Sequence, residues 1–233
     1  MAEPAGRTAL VAGGSGLVGS RLLPLLLDAG EYSRVLALSR RPLPLDHPRL
    51  ANRVLRFDAA LGTQLGGVQC QDAFCCLGTT IGEAGSQQAF RAVDHDLVLQ
   101  VGRLALAAGA ARLVVISAVG ASEHSRSFYL RVKGETERAL VSLSFAALDI
   151  MQPSVLLGSR RELRPLEMLA QGLLWTVNPL LLGGLARYRG IAAGALAAAM
   201  LGAARSGRRG VNRYTYREMS SLAAAAAPEH ARL

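Results

Sequence analysis

The segment RTALVAGGSGLVGSRLLPLLLDAG, residues 7 to 30, constrains this chain more than any other. A short apolar strand over 7–12 runs into a glycine-rich turn, and helical periodicity follows through Leu22, Leu26 and Leu27 to Gly30. Glycines at 13, 16 and 19 permit a tight turn, let another group come close to the backbone, and let the helix pack against the strand.

The rest of the chain repeats the alternation. SRVLALSRR is a second buried strand, RVLRFD a third and DAFCCLG a fourth, each short, apolar and bounded by turn residues or charges. Residues 86–109 read as one long helix, RLVVISA as a fifth strand, 127–143 as a helix and FAALDIMQP as a sixth strand closed by Pro153. Parallel neighbours need crossover connections, so this order predicts an α/β fold: a Rossmann-like doubly wound parallel sheet with helices on both faces. After Pro153 the pattern becomes irregular, with helices expected at 165–176 and, rich in alanine, at 191–205. The expectation is a single domain over 1–233 in which 154–233 contributes a small C-terminal cap on the substrate side.

A glycine-rich turn opening onto a helix N-terminus suits a pyrophosphate, because first-turn N–H groups lack intrahelical acceptors. Gly13, Ser15, Gly16, Leu17, Val18 and Gly19 are therefore candidate dinucleotide contacts. At the end of the second strand, where an acid would hold a ribose 2'-hydroxyl, stand Arg40 and Arg41. Two guanidinium groups there favour a 2'-phosphate, so the cofactor expected is NADP(H). Asp58, after the third strand, is a candidate contact on the adenine side.

Lys133 is the one lysine of a chain with 25 arginines. It lies four residues after Tyr129, so the two share one face of the 127–143 helix. Ser117 ends the fifth strand, and strand carboxyl ends line the ligand crevice of a doubly wound sheet. Reduction of a carbonyl needs a proton donor, a group that orients the carbonyl, and a cation that also holds the cofactor ribose. Tyr129, Ser117 and Lys133 fill these roles, with Lys133 expected to favour tyrosinate at its neighbour. The competing arrangement is an amphipathic helix with a core stripe of Phe128, Val132, Ala139 and Leu140 and a surface-exposed Tyr129 and Lys133.

Composition narrows the classes. A chain that is 51% hydrophobic and 18% charged suits a compact fold. The net charge of +9 is spread from Arg7 to Arg232 without an aromatic-rich strand motif, which argues against nucleic acid and suits anionic small molecules. Cys70, Cys75 and Cys76 are expected to be reduced core residues, and the four histidines show no metal-ligand spacing with them. No apolar run is long and uninterrupted enough to span a bilayer, and the N-terminus lacks the pattern of a secretory signal, so a cytoplasmic protein is expected.

The glycine loop, Ser117 and Tyr129-x-x-x-Lys133 resemble the short-chain dehydrogenase/reductase superfamily. FCCLGTT (74–80), F-x-x-V-D-x-D (90–96), YLRVKGE (129–135) and R-x-E-x-R-P-x-E (160–167) resemble more closely its atypical branch, the Tat-interactive oxidoreductase-like, NAD(P)H-binding family, in a bacterial member. The resemblance implies NADPH as ligand, the Ser, Tyr and Lys roles above, and cofactor contact at Gly13, Ser15, Gly16, Leu17, Arg40, Leu77, Gly78, Thr79 and Lys133. It implies a reductase of a small carbonyl or related substrate that the residues do not identify. Because the family includes a member regarded as regulatory, it also implies a rival role as an NADPH-binding module for a protein partner. Three departures stand out: Leu77-Gly78-Thr79-Thr80 replaces an asparagine-alanine-glycine string, Asp94 stands near the place of an active-site asparagine, and Pro153-Ser154 replaces proline-glycine. Arg160, Arg161 and Arg164, at the start of the expected cap, suit either an anionic substrate group or pairing with Glu162 and Glu167.

Overall fold

The computed structural model describes residues 6–57, 67–157 and 183–226. Seven parallel strands form one sheet: β1 (Arg7–Ala12), β2 (Tyr32–Ser39), β3 (Leu50–Val54), β4 (Asp72–Cys75), β5 (Arg112–Ile116), β6 (Ala147–Met151) and β9 (Gly210–Tyr214). Their order is β3-β2-β1-β4-β5-β6-β9, which reverses direction between β1 and β4. β7 (Leu156–Leu157) and β8 (Ile191–Ala192) form a separate two-stranded ribbon.

Period-two alternation sends each strand's side chains to two different cores. Ala9, Val11, Val35, Ala37, Phe74 and Val114 belong to the core shared with α1 (Gly19–Asp28), and Leu10, Ala12, Leu36, Ala73, Cys75 and Leu113 face the opposite layer. That opposite layer holds α2 (Ile81–Ala84), α3 (Gln87–Arg91), a π-helical turn (Ala92–Leu97), α4 (Val98–Ala107) and α5 (Phe128–Val141). The single helix expected over 86–109 is thus interrupted by the π segment.

Of the segment expected as a cap, residues 193–226 take a different place. Helix α6 (Ala193–Arg205) lies in the same core as α1, and β9 pairs with β6 from Ala147–Gly210 to Met151–Tyr214. Residues 193–226, including α7 (Tyr216–Ala226), therefore complete the sheet layer instead of covering it. Two features hid this. GVNRY shows little apolar alternation because β9 is an edge strand with Val211 exposed. The alanines of α6 leave so little bulk that Gly202 approaches α7 closely; a Cβ there would lie 2.3 Å from the Leu222 carbonyl oxygen. The helix expected at 165–176 lies outside the described residues, as do Arg160, Arg161, Arg164, Glu162 and Glu167.

Candidate dinucleotide site

The glycine turn sits where the strand order reverses, the position at which doubly wound sheets bind ligands. Gly13 adopts φ 84°, a left-handed conformation, and a Cβ there would stand 2.7 Å from the Cys76 carbonyl carbon at the end of β4. A Cβ on Gly19 would lie 2.2 Å from the Gly13 carbonyl oxygen, so the first turn of α1 folds directly onto the loop. No side chain caps α1, and Ser15 and Gly16 are exposed at the tip. This cradle, which side chains would fill, fits the pyrophosphate of a dinucleotide.

The arginine turn is held from the neighbouring strand. Ser39 ends β2 and donates to the Arg41 carbonyl at 2.7 Å. Asn52 of β3 donates to Ser39 Oγ at 2.7 Å and to the Ala37 carbonyl at 3.2 Å, and its Oδ1 accepts from the Leu43 N–H at 2.9 Å. Arg40 and Arg41 are exposed on this tethered turn. Asn52 escaped the sequence reading because an asparagine in RLANRV signals a turn as readily as a strand. Asp58 lies outside the described residues.

After β4, the Gly78 backbone lies near Lys133 of α5, and the Thr79 N–H reaches Asp94 of the π-helical turn. Lys133 is 5% exposed, which excludes the arrangement with a surface lysine. Its Nζ stands 2.7 Å from Asp94 Oδ1, while Asp94 Oδ2 accepts from the Thr79 N–H at 2.8 Å. A Cβ on Gly78 would lie 3.5 Å from Asp94 Oδ1 and 3.9 Å from Lys133 Nζ, so the Gly78 backbone covers the ion pair.

Tyr129 packs on Phe90 with ring centroids 5.5 Å apart, one helical turn before Lys133. Burial pushes its phenol above the ordinary value, Lys133 pulls it down and Asp94 pushes it up again. The expected shift toward tyrosinate is therefore reversed, because desolvation outweighs the ammonium and Asp94 offsets it. Ser117 is buried, and its Oγ donates to Glu137 Oε1 at 2.6 Å. Glu137 also accepts from Gln152 Nε2 at 2.8 Å and pairs with Arg213 Nε at 2.9 Å. Ser117 thus reaches α5 one turn beyond Lys133, with its only hydroxyl proton committed to a carboxylate. Glu137 went unremarked in the sequence, although its i+4 spacing from Lys133 places it on the same helix face.

No family model matches the chain. Protein HTATIP2 of Rattus norvegicus is 37% identical over 169 residues, covering 71% of this chain and 69% of the rat protein. The chain belongs to the HTATIP2 family of atypical short-chain dehydrogenases/reductases. Another relative, Protein FMP52, mitochondrial, of Saccharomyces cerevisiae, is 35% identical over 153 residues, 65% of this chain and 66% of that one. The matched segments span about two thirds of these HTATIP2-family proteins. Both relatives are eukaryotic and lend no support to a bacterial placement, and the yeast protein is named as mitochondrial.

Solved structures show the same fold. MoeE5 in complex with UDP-glucose and NAD superimposes with a TM-score of 0.65 at 18% identity, covering 94% of this chain and 81% of that one. The UDP-N-acetylglucosamine 4-epimerase from Methanobrevibacter ruminantium M1 gives 0.66 at 16% identity, with 90% and 76% covered. Among the described residues, no helix is long and apolar enough to cross a membrane.

Proposed function

We propose that the chain is an NADPH-dependent oxidoreductase acting on a small carbonyl or related substrate. The observation that carries this reading is the buried Lys133–Asp94 pair under the Gly78–Thr79 turn, with Tyr129 one helical turn away. A purely structural helix has little reason to bury its cation beneath the carboxyl end of a strand. Solved neighbours of the same fold that carry NAD, such as MoeE5, support a nicotinamide dinucleotide as ligand. The glycine turn would hold its pyrophosphate, Arg40 and Arg41 a 2'-phosphate, and Lys133 its ribose. When bound, the reduced cofactor supplies a hydride to an electrophilic carbon.

The chain's own residues manage the proton. Burial keeps Tyr129 a phenol at neutral pH, the form able to give a proton to the oxygen on which charge develops. Ser117 would orient the substrate carbonyl from the end of β5, which requires its hydroxyl to turn away from Glu137. A fluorescence titration tests the cofactor, with NADPH expected to bind in the micromolar range and NADH at least tenfold more weakly. Binding of neither would defeat the reading.

The Ser117–Glu137 bond favours a second reading, an NADPH-binding module for a protein partner without turnover. That reading predicts cofactor binding, no NADPH consumption across a broad carbonyl panel, and a partner whose affinity follows NADPH occupancy. With either reading we propose a cytoplasmic protein that takes neither nucleic acid nor membrane as partner.

A further inference from the structure

Asp94 is 1% exposed and belongs to the π-helical turn Ala92–Leu97, a widened geometry that recurs at functional sites. It is gripped from three sides. Its Oδ2 accepts from the Thr79 N–H at 2.8 Å, and its main-chain carbonyl accepts from Thr136 Oγ1 of α5 at 3.0 Å. Its Oδ1 faces Lys133 Nζ at 2.7 Å as a buried ion pair. An asparagine would serve the Thr79 N–H and the Thr136 hydroxyl equally well. Only the negative charge distinguishes the carboxylate, and burying that charge is costly without its cation.

We propose that Asp94 is a positioning residue whose charge holds Lys133 beneath the Gly78–Thr79 turn and sets how readily Tyr129 gives up its proton. The proposal rests on the reading of Tyr129 and Lys133 as site residues. Two charged groups act on Tyr129, Lys133 from its own helix and Asp94 from the π turn, while the ring packed on it from α3 is the uncharged Phe90. The Cys75 thiol of β4, within reach of both charges, is pushed up to about 11 by burial and stays neutral beside them at physiological pH. Lys133 and Asp94 act on Tyr129 in opposite directions, so removing the carboxylate alone leaves the ammonium unopposed.

The test reads the ligand-free protein. Tyrosine labelled with 13C at Cζ reports phenolate formation, and Tyr129→Phe assigns the resonance. Asp94→Asn should ionise Tyr129 about one pH unit below wild type, and Asp94→Glu, which keeps the charge, should stay near wild type. An Asp94→Asn curve that superimposes on wild type, with an intact circular dichroism spectrum, overturns the proposal. If Asp94→Asn does not fold, the Asp94→Asn/Lys133→Met double variant decides: recovery of the wild-type circular dichroism spectrum shows that Asp94 neutralises the buried Lys133, and failure to fold overturns the proposal. Asp94→Asn should also weaken dinucleotide affinity at least threefold, because Lys133 is no longer held in place, whereas Asp94→Glu, which keeps the charge, should stay near wild type. Equal affinities for the two variants would also count against the proposal. Wild-type dinucleotide binding tests the functional reading separately, since the phenol titration needs no cofactor.

Discussion

The two ends of the sheet both bury charge, and they do so differently. On the side of the sheet toward the strands' amino ends, Asp149 at the middle of β6 accepts from Arg112, from Asn212 Nδ2 at 3.1 Å and from the Tyr214 hydroxyl at 3.0 Å. Asp72 beside it pairs with Arg7 and accepts from the Tyr32 hydroxyl at 2.8 Å. Arg112 is tied further to the carbonyls of Ala203 and Arg208, which fastens α6 and the loop before β9 to the sheet. At the carboxyl ends, Lys133 meets the carboxylate of Asp94, and Glu137 gathers Ser117, Gln152 and Arg213; one oxygen of Asp94, like one of Asp72, accepts no hydrogen bond. The amino-end charges tie a helix and a loop to the sheet, whereas Lys133 and Asp94 lie beside the Gly78 backbone where the strand order reverses.

Breaking each end separately should give different losses. Tyr129→Phe should reduce turnover by about 10²- to 10⁴-fold while dinucleotide affinity stays within threefold. Turnover equal to wild type would remove Tyr129 as the proton donor. At the opposite end, Asp149→Ala should cost about 3–5 kcal/mol of stability by stranding the Arg112 cation. Denaturant unfolding measures that cost, and the NADPH to NADH preference of the folded variant should be unaltered.

Two smaller effects sharpen the contrast. Replacing Arg40 and Arg41 with alanine should lower NADPH affinity by about 1.5–3 kcal/mol, the scale of charged hydrogen bonds, and leave NADH affinity unchanged. Equal losses for both cofactors would show that the turn does not read the 2'-phosphate. The last prediction concerns pH. Burial raises the Asp72 carboxyl above its ordinary 3.8, so the folded state binds the proton more tightly than the unfolded chain. Its contribution is then most favourable at low pH and is lost as pH rises from about 3.8 through the higher folded value. Asp72→Asn, which mimics the protonated form, should gain on wild type as pH rises from 4 to 7 in denaturant titrations.

Strand, turn and helix periodicities made the α/β class legible in the chain, and β1, α1, β5 and β6 fall close to their expected bounds. Lys133 could be singled out because arginine replaces lysine everywhere else, and its burial agrees with that singularity. Glu137, Asn52 and the role of Asp94 were not legible as site features. Each gains its meaning from a partner 13 or more residues away: Ser117, Ser39 and Lys133. The π turn that carries Asp94 was equally hidden, since AVDHDL has no pattern that separates it from an ordinary helix.

The sequence by itself determined the layer order and the glycine turn, because these depend on local periodicity and on backbone freedom at Gly13. The tertiary structure alone decided that residues 193–226 complete the sheet, since an edge strand and an alanine helix declare themselves only through what they pack against. It also decided the balance of charge around Tyr129. Spacing along α5 brings an ammonium near the phenol, but burial and the carboxylate arriving from the π turn determine the direction in which that phenol is shifted.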